Sequence, residues 1–338
     1  MNLNKLPIVA DGKYLGGVLL VAFALFIQSP QATGQNSIGI SGTRFTMDGK
    51  RFDFTGISFF NALYNDAFNS DERVQLDWLK KFKHYGISVI RIWAEWNNDL
   101  GFVDTCDSCT LYDRNGDLQP MYLNRLKTIL VNAASLDMAV ELVLFSSESF
   151  DKKLSDAAAD HAVQAAAQAL KPYRNVVFQI WNERNYRTLD YYSLIKRHDP
   201  ARLVSNSPGG GSDLGEDREN SVLDYLSPHT SRHGKHWEIA AEEISGLLKK
   251  FNKPVVDDEP ARNGTRDFGG PEGDSYPYDH ILHIYNVWKV GGEAIYHHDM
   301  FQTGSGSDAV PPHGIPDPEF NPYHHTVLQF VKHKNVYR

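Results

Sequence analysis

The stretch "FQIWNERN", residues 178–185, is where the reading of this chain starts. Phe178, Gln179, Ile180 and Trp181 have strand character and run without a break into an amide, Asn182, and a carboxylate, Glu183. Such a strand sets a hydrogen-bonding amide and an ionisable carboxylate one step past its own core. What that placement is for depends on the segments around it.

Outward from this stretch, strands and helices alternate. Short segments rich in Val and Ile fall at 53–58, 88–93, 139–145, 175–181, 202–207, within 222–229, 253–259 and 292–299. They are short and mainly apolar, as strands covered on both faces are. Amphipathic segments predict helices over 71–86, 121–137, 154–173, 189–200, 236–252, 278–291 and 323–334. The first starts on Ser70 or Asp71 as cap and stops at Gly86; the third is Ala-rich and ends at Pro172. Unit five offers only a Gly/Asp-rich loop over 209–220. Asp48-Gly49 between alternating segments predicts a two-residue hairpin ahead of the first strand. Strand-helix alternation implies parallel strands with right-handed crossovers. Eight units imply a closed (β/α)8 TIM barrel, a single domain with an N-terminal β-hairpin.

The chain has 338 residues, and its start has the character of an address. An unbroken apolar run covers residues 15–27, preceded by Lys5 and Lys13 and followed by the small residues Ala32 and Gly34. That run is short for a membrane span and suits a signal peptide cleaved after residue 34. The expectation is a secreted protein, extracellular or periplasmic, with residues 35–338 as its catalytic domain and no stable membrane association after cleavage; an uncleaved anchor is the rival. The formal charge is −8, and the leader's Lys5, Lys13 and Asp11 add one positive charge to it, so the remainder stands at about −9. An acidic surface without basic runs argues against nucleic acid as partner. The two cysteines, Cys106 and Cys109, lack further metal ligands nearby and predict a small local disulfide.

In a barrel of this kind the chemistry lies at the C-terminal ends of the strands. Asn61 follows the first strand. Arg91 lies late in the second, with Glu95, Trp96 and Asn97 after it, and Glu148 follows the third. Asn182 and Glu183 end the fourth, Asn206 the fifth and His229 the sixth; Asp257, Asp258 and Glu259 end the seventh, and Tyr296, His297, His298 and Asp299 the eighth. Glu183 and Glu259 stand on nearly opposite strands of an eight-membered ring. Two facing carboxyls, one protonated and one ionised, are what glycoside hydrolysis needs. Asp257 and Asp258 compete with Glu259; strand alternation puts Asp257 with Glu259 and Asp258 on the other side, and Glu259 is nearest the mouth. Asn182 is placed to donate to a sugar 2-hydroxyl, and Arg91 to hold the nucleophile ionised. Trp96, in the polar run "EWNN", suits a sugar platform, whereas Trp93 and Trp181 suit core or floor. A helix cap is the bland alternative for Glu183. The adjacent pairs His297-His298 and His324-His325 point to opposite faces and chelate nothing by themselves.

This ordered set resembles clan A of the glycoside hydrolases, the cellulase-like, family-five-like (β/α)8 enzymes, over nearly all of residues 35–338. "WNERN" is similar to the clan's strand-four motif, which implies Glu183 as acid/base and Asn182 at the 2-hydroxyl. "KPVVDDEPAR" is similar to its strand-seven segment, which implies Glu259 as nucleophile, and "GISVIRIW" to its strand two, with Arg91 near the nucleophile. "LIKRHDPARLVSNS" is similar to the passage before strand five, and "LDYLSPHTSR" to strand six, with His229 in the histidine position. Two positions depart. Ser231 stands where an aromatic two residues after that histidine often holds the nucleophile, and "AIYHHDMF" stands where a Trp often forms the sugar platform, leaving Tyr296 as a candidate ring. The resemblance implies a retaining β-glycoside hydrolase acting on a β-linked oligo- or polysaccharide, without metal or other cofactor. A carbohydrate-binding barrel without turnover is the alternative that the two departures leave open.

Overall fold

The strands follow the segment pattern closely. In this computed structural model, residues 36–95, 110–146, 154–260, 265, 267, 275–301 and 311–337 are described. They lie within one compact unit, Gly34–Arg338. The leader, Trp96, Asn97, Glu148 and the Cys106–Cys109 pair fall outside the described residues. Among the described residues no helix is long and apolar enough to cross a membrane.

Three short strands come first: β1 (Ile38–Ser41), β2 (Arg44–Met47) and β3 (Lys50–Arg51), an antiparallel sheet in that order. Asp48 and Gly49 both take positive φ, 51° and 75°, the backbone that a tight two-residue turn of matching twist demands. The sequence predicted this turn but not β1. Then follow β4 (Thr55–Ser58), β5 (Val89–Trp93), β6 (Ala139–Ser146), β7 (Val176–Asn182), β8 (Val204–Ser205), β9 (Val256–Asp257) and β10 (Glu293–Tyr296). All seven are parallel, in the order β8-β7-β6-β5-β4-β10-β9.

The ring closes through a stave too short to count as a strand. Leu226 bridges Val255 in parallel, donating to Pro254 at 3.0 Å and accepting from Val256 at 2.8 Å. On its other side Asp224 donates to the Val204 carbonyl at 3.0 Å. Residues 224–226 are therefore the sixth stave of a (β/α)8 barrel, between β8 and β9.

Eight helices are described: α1 (Glu72–His84), α2 (Pro120–Ala134), α3 (Asp156–Leu170), α4 (Thr188–His198), α5 (Asp217–Val222), α6 (His236–Phe251), α7 (Pro277–Val290) and α8 (Pro322–Lys332). Asp71 caps α1 by accepting from Arg73 N at 2.7 Å, and Ser155 caps α3 by accepting from Ala158 N. The short α5 lies in the loop where no helix was expected. Six residues with one buried side chain, Asn220, leave too little apolar periodicity to see.

The barrel interior is layered. Val89, Ala139, Val177, Tyr225, Val256 and Ile295, one from each of six staves, form the lowest layer. The hairpin closes this end: Phe45 stacks on Phe54 at 4.3 Å and meets Tyr225 edge-on at 5.3 Å. The next layer up is polar, contrary to the expectation of an apolar interior. Arg91, Glu141, Gln179 and Asp258 fill it, all fully buried. The mouth lies above.

Candidate active site

Arg91 organises the polar layer. Its Nε and Nη2 donate to Gln179 Oε1 at 3.0 and 2.6 Å, Nη2 donates to Asn182 Oδ1 at 2.8 Å, and Nη1 donates to Glu259 Oε1 at 2.9 Å. Asp258 Oδ2 is 3.1 Å from Nη2 and Glu141 Oε2 is 3.8 Å from Nε. Burial pulls the guanidinium's pKa down, but Asp258, Glu259 and Glu141 together outweigh it and raise it above its ordinary value. Three acids face one cation. Burial pushes Asp258 well above, and Glu141 above, the usual carboxylate range, which favours their neutral forms. Gln179 Nε2 donates to Asp258 at 2.5 Å and Tyr225 donates to Glu141 at 2.7 Å. Arg91 is thus left to Glu259 as its ionic partner at the mouth.

The expected alternation along 253–259 does not hold. β9 ends at Asp257, so the period of two stops there. Asp257 faces outward, accepting from Thr230 Oγ1 at 2.9 Å and lying 2.6 Å from His283 Nε2 in α7. Asp258 and Glu259 both turn to Arg91. The same break appears at the end of β7, where Gln179 and Asn182, an odd number of residues apart, both reach Arg91.

Glu183 follows immediately, in left-handed backbone with φ 61°. A residue with a side chain holds that conformation only where its surroundings fix it. The end of β8 does the fixing. Asn206 accepts from Trp181 N at 3.1 Å and donates to the Arg184 carbonyl at 3.0 Å, while Arg184 N donates to Ser207 O at 3.3 Å. The loop beyond approaches closely: a Cβ on Gly210 would lie 3.2 Å from Glu183 Oε1. Glu183 is not the cap of the following helix, which starts at Thr188 with Arg187 in the cap position.

His229 stands between the two acids. Its Nδ1 is 3.7 Å from Glu183 Oε1, and its Nε2 is 3.5 Å from Glu259 Oε2 and 2.6 Å from Ser207 Oγ. One atom from each of Glu183, His229 and Glu259 lies within 4.8 Å of the others, the spacing of a three-ligand cation site. A cation is already there. Arg232 Nη2 is 3.2 Å from Glu259 Oε2 and 3.8 Å from Glu183 Oε1. Two carboxylates bridged by a guanidinium do not fit a divalent ion.

The structure therefore brings Arg91, Asn182, Glu183, His229 and Glu259 together. Asn61 is buried in the turn after β4, where its carbonyl accepts from Tyr64 and Asn65, both at 2.8 Å. Tyr296 is not a mouth ring. It is 1% exposed, its hydroxyl lies 2.7 Å from His324 Nδ1 in α8, and it packs edge-on to Phe301. The inward residue of β10's end is His297, 2.9 Å from Ser58 Oγ and edge-on to Phe60 at 5.0 Å. Trp93 is buried as floor: Arg91 lies over its ring at 4.6 Å and Phe60 stacks on it at 4.6 Å. Sequence reasoning missed Glu141, Gln179 and Arg232. A charged or amide residue inside an otherwise apolar strand was the available signal for the first two. Arg232 follows a stave of irregular backbone, where nothing local marks direction.

The sequence matches no protein-family model and no curated protein. Its structural neighbours are glycoside hydrolases of family 5. A family 5 structure from Bacteroides vulgatus is 16% identical, with a TM-score of 0.63 over 85% of this chain and 69% of that one. A family 5 mannosidase from Rhizomucor miehei is 15% identical, with a TM-score of 0.62 over 90% of this chain and 100% of that one. An endo-β-1,4-mannanase from Thermotoga petrophila is 16% identical, with a TM-score of 0.60 over 84% and 77%. Likeness at these identities establishes the barrel fold.

Proposed function

We propose that this chain is an exported, retaining β-glycoside hydrolase in which Glu259 is the nucleophile and Glu183 the acid/base. One observation carries the reading. Carboxylates just past the ends of β7 and β9, Glu183 and Glu259, converge to within 4.8 Å with His229 between them. Retention goes with carboxyls about 5–5.5 Å apart, because the nucleophile must reach the anomeric carbon directly; inversion leaves room for a water at about 6.5–9.5 Å. Arg91 holds Glu259 Oε1, which leaves Oε2 on the Glu183 side.

In the first step Glu259 forms a bond to the anomeric carbon as the glycosidic bond breaks, and Glu183 gives its proton to the departing oxygen. In the second, Glu183 takes a proton from water, the water oxygen bonds to the anomeric carbon, and Glu259 leaves as carboxylate. Asn182, whose Oδ1 accepts from Arg91, has its amide nitrogen free of that bond to meet the 2-hydroxyl. The substrate class is a β-linked oligo- or polysaccharide. Neighbours described as a mannanase and a mannosidase put β-mannan first on the panel.

Purified protein assayed on aryl β-glycosides and β-linked polysaccharides, with proton NMR of the first-formed product, tests this. Turnover giving the β-anomer first is the expected result. An α-anomer, or glycan binding without any cleavage, overturns it; the latter leaves a carbohydrate-binding barrel.

A further inference from the structure

Arg232 is the only group among those described that touches both mouth carboxylates as a permanent cation. Its Nε also donates to the Glu259 carbonyl at 3.3 Å, so the guanidinium is held at two points on one residue. The segment carrying it is fixed from three sides. His229 N donates to Asp213 O at 2.9 Å, Thr230 Oγ1 to Asp257 at 2.9 Å, and Ser231 N to Glu243 in α6 at 2.9 Å. The side chain remains 20% exposed at the mouth, within reach of a bound sugar's surroundings rather than sealed in the core.

We infer that Arg232 is a positioning residue shared by the two half-reactions, a counter-ion that serves Glu259 first and Glu183 afterwards. This rests on the two-carboxylate reading above. Two carboxylates within 4.8 Å of each other would repel if both were ionised, so in the resting site one proton stays on the pair, on Glu183, beside the ionised Glu259. Arg91 reaches only Glu259. Arg232 reaches both, so it makes the ionised nucleophile tolerable beside its neighbour. When Glu259 becomes an ester it loses its charge. Arg232 then has Glu183 as its remaining anion in this pair. That favours the ionised Glu183 which must accept the water proton in the second step. Among the described residues, the groups facing Glu259 include Arg91 from β5, Asp258 beside it, Glu141 behind Arg91, His229, Glu183 and Arg232. Of these, Arg232 alone changes partner as the reaction proceeds.

The test is Arg232→Gln and Arg232→Lys in the full chain, read two ways. Carbon-13 NMR titration of glutamate carboxyls, assigned with Glu259→Gln and Glu183→Gln, needs no turnover. The midpoint of the first mouth carboxyl to ionise should rise by about 1–3 pH units in Arg232→Gln, and Arg232→Lys should restore most of it. On an aryl glycoside, the acidic limb of kcat/KM should move up in parallel, and a product burst should appear as the second step slows. Titration midpoints unmoved in the Gln variant overturn the inference, even if kcat falls. If wild type turns nothing over, the hydrolase reading fails, while the titration still decides whether Arg232 is the shared counter-ion.

Discussion

Arg91 meets Glu259 at 2.9 Å with neither side chain reached by solvent. The pair sits at the join between the barrel's polar layer and its mouth. Removing the cation leaves Glu259, Asp258 and Glu141 facing each other in a dry interior, with Gln179 and Asn182 losing their donor. Breaking a buried pair in this way costs about 3–5 kcal/mol. Arg91→Met should lower unfolding stability by that amount in urea and abolish turnover. A loss below about 1 kcal/mol would show that the layer is solvated after all. Arg91→Lys keeps the charge but not the planar fork, so it should recover part of the stability and little of the activity.

The two carboxylates should fail differently. Glu183→Ala removes the proton donor, so activity should drop about 10²–10⁴-fold on substrates with poor leaving groups and much less on a dinitrophenyl glycoside, whose departure needs no proton. Glu259→Ala should lose both, and azide should restore turnover by attacking in its place with inverted stereochemistry. Equal losses on both substrates in Glu183→Ala would remove it from the acid/base role.

Most of the barrel was legible because its signals are local. Val/Ile runs of four to eight residues and amphipathic helices with caps such as Asp71 are written in consecutive residues. Where the backbone stops being regular, the reading failed. The alternation that paired Asp257 with Glu259 assumes a strand through residue 259, but β9 ends at Asp257. Tyr296 was a candidate platform because it is aromatic at a strand end; its direction depends on which face of β10 it occupies, and His297 has the inward one. Arg232 was invisible because its role comes from a neighbouring stave, not from its own segment.

Gly210 makes a sharper test of Glu183 than the glutamate itself. A methyl there would lie 3.2 Å from Oε1, close enough to move the carboxylate without touching the core. Gly210→Ala should lower kcat by about ten-fold or more, since small misplacements of a reacting group are costly. Its thermal midpoint should stay near that of wild type. Unchanged kcat would mean that the loop yields instead of the acid.

If Tyr296 is an outward packing residue, Tyr296→Phe should cost only the hydroxyl's bond to His324, about 0.5–1.5 kcal/mol in urea unfolding, and leave KM for an oligosaccharide unchanged. A raised KM with unaltered stability would return the ring to the mouth.

Buried histidines among the outer helices predict acid sensitivity. Burial lowers His324 to about 3 and His236 to about 4, and holds His280 well below its ordinary 6.5. A histidine whose folded pKa is depressed binds its proton in the unfolded chain before it does in the native one. Its unfavourable contribution is absent above about 6.5 and grows as pH falls towards the folded value. Between those limits, each histidine steepens the loss of stability by up to about 1.4 kcal/mol per pH unit. Glu141 and Asp258, pushed up by burial, act with the opposite sign over part of the same range. The difference between wild type and His324→Gln isolates the imidazole's share. Urea midpoints measured at pH 7 and pH 5 should converge between the two proteins as pH falls, because glutamine has no proton to gain. A constant difference across that range would mean that His324 titrates alike in the folded and unfolded chain.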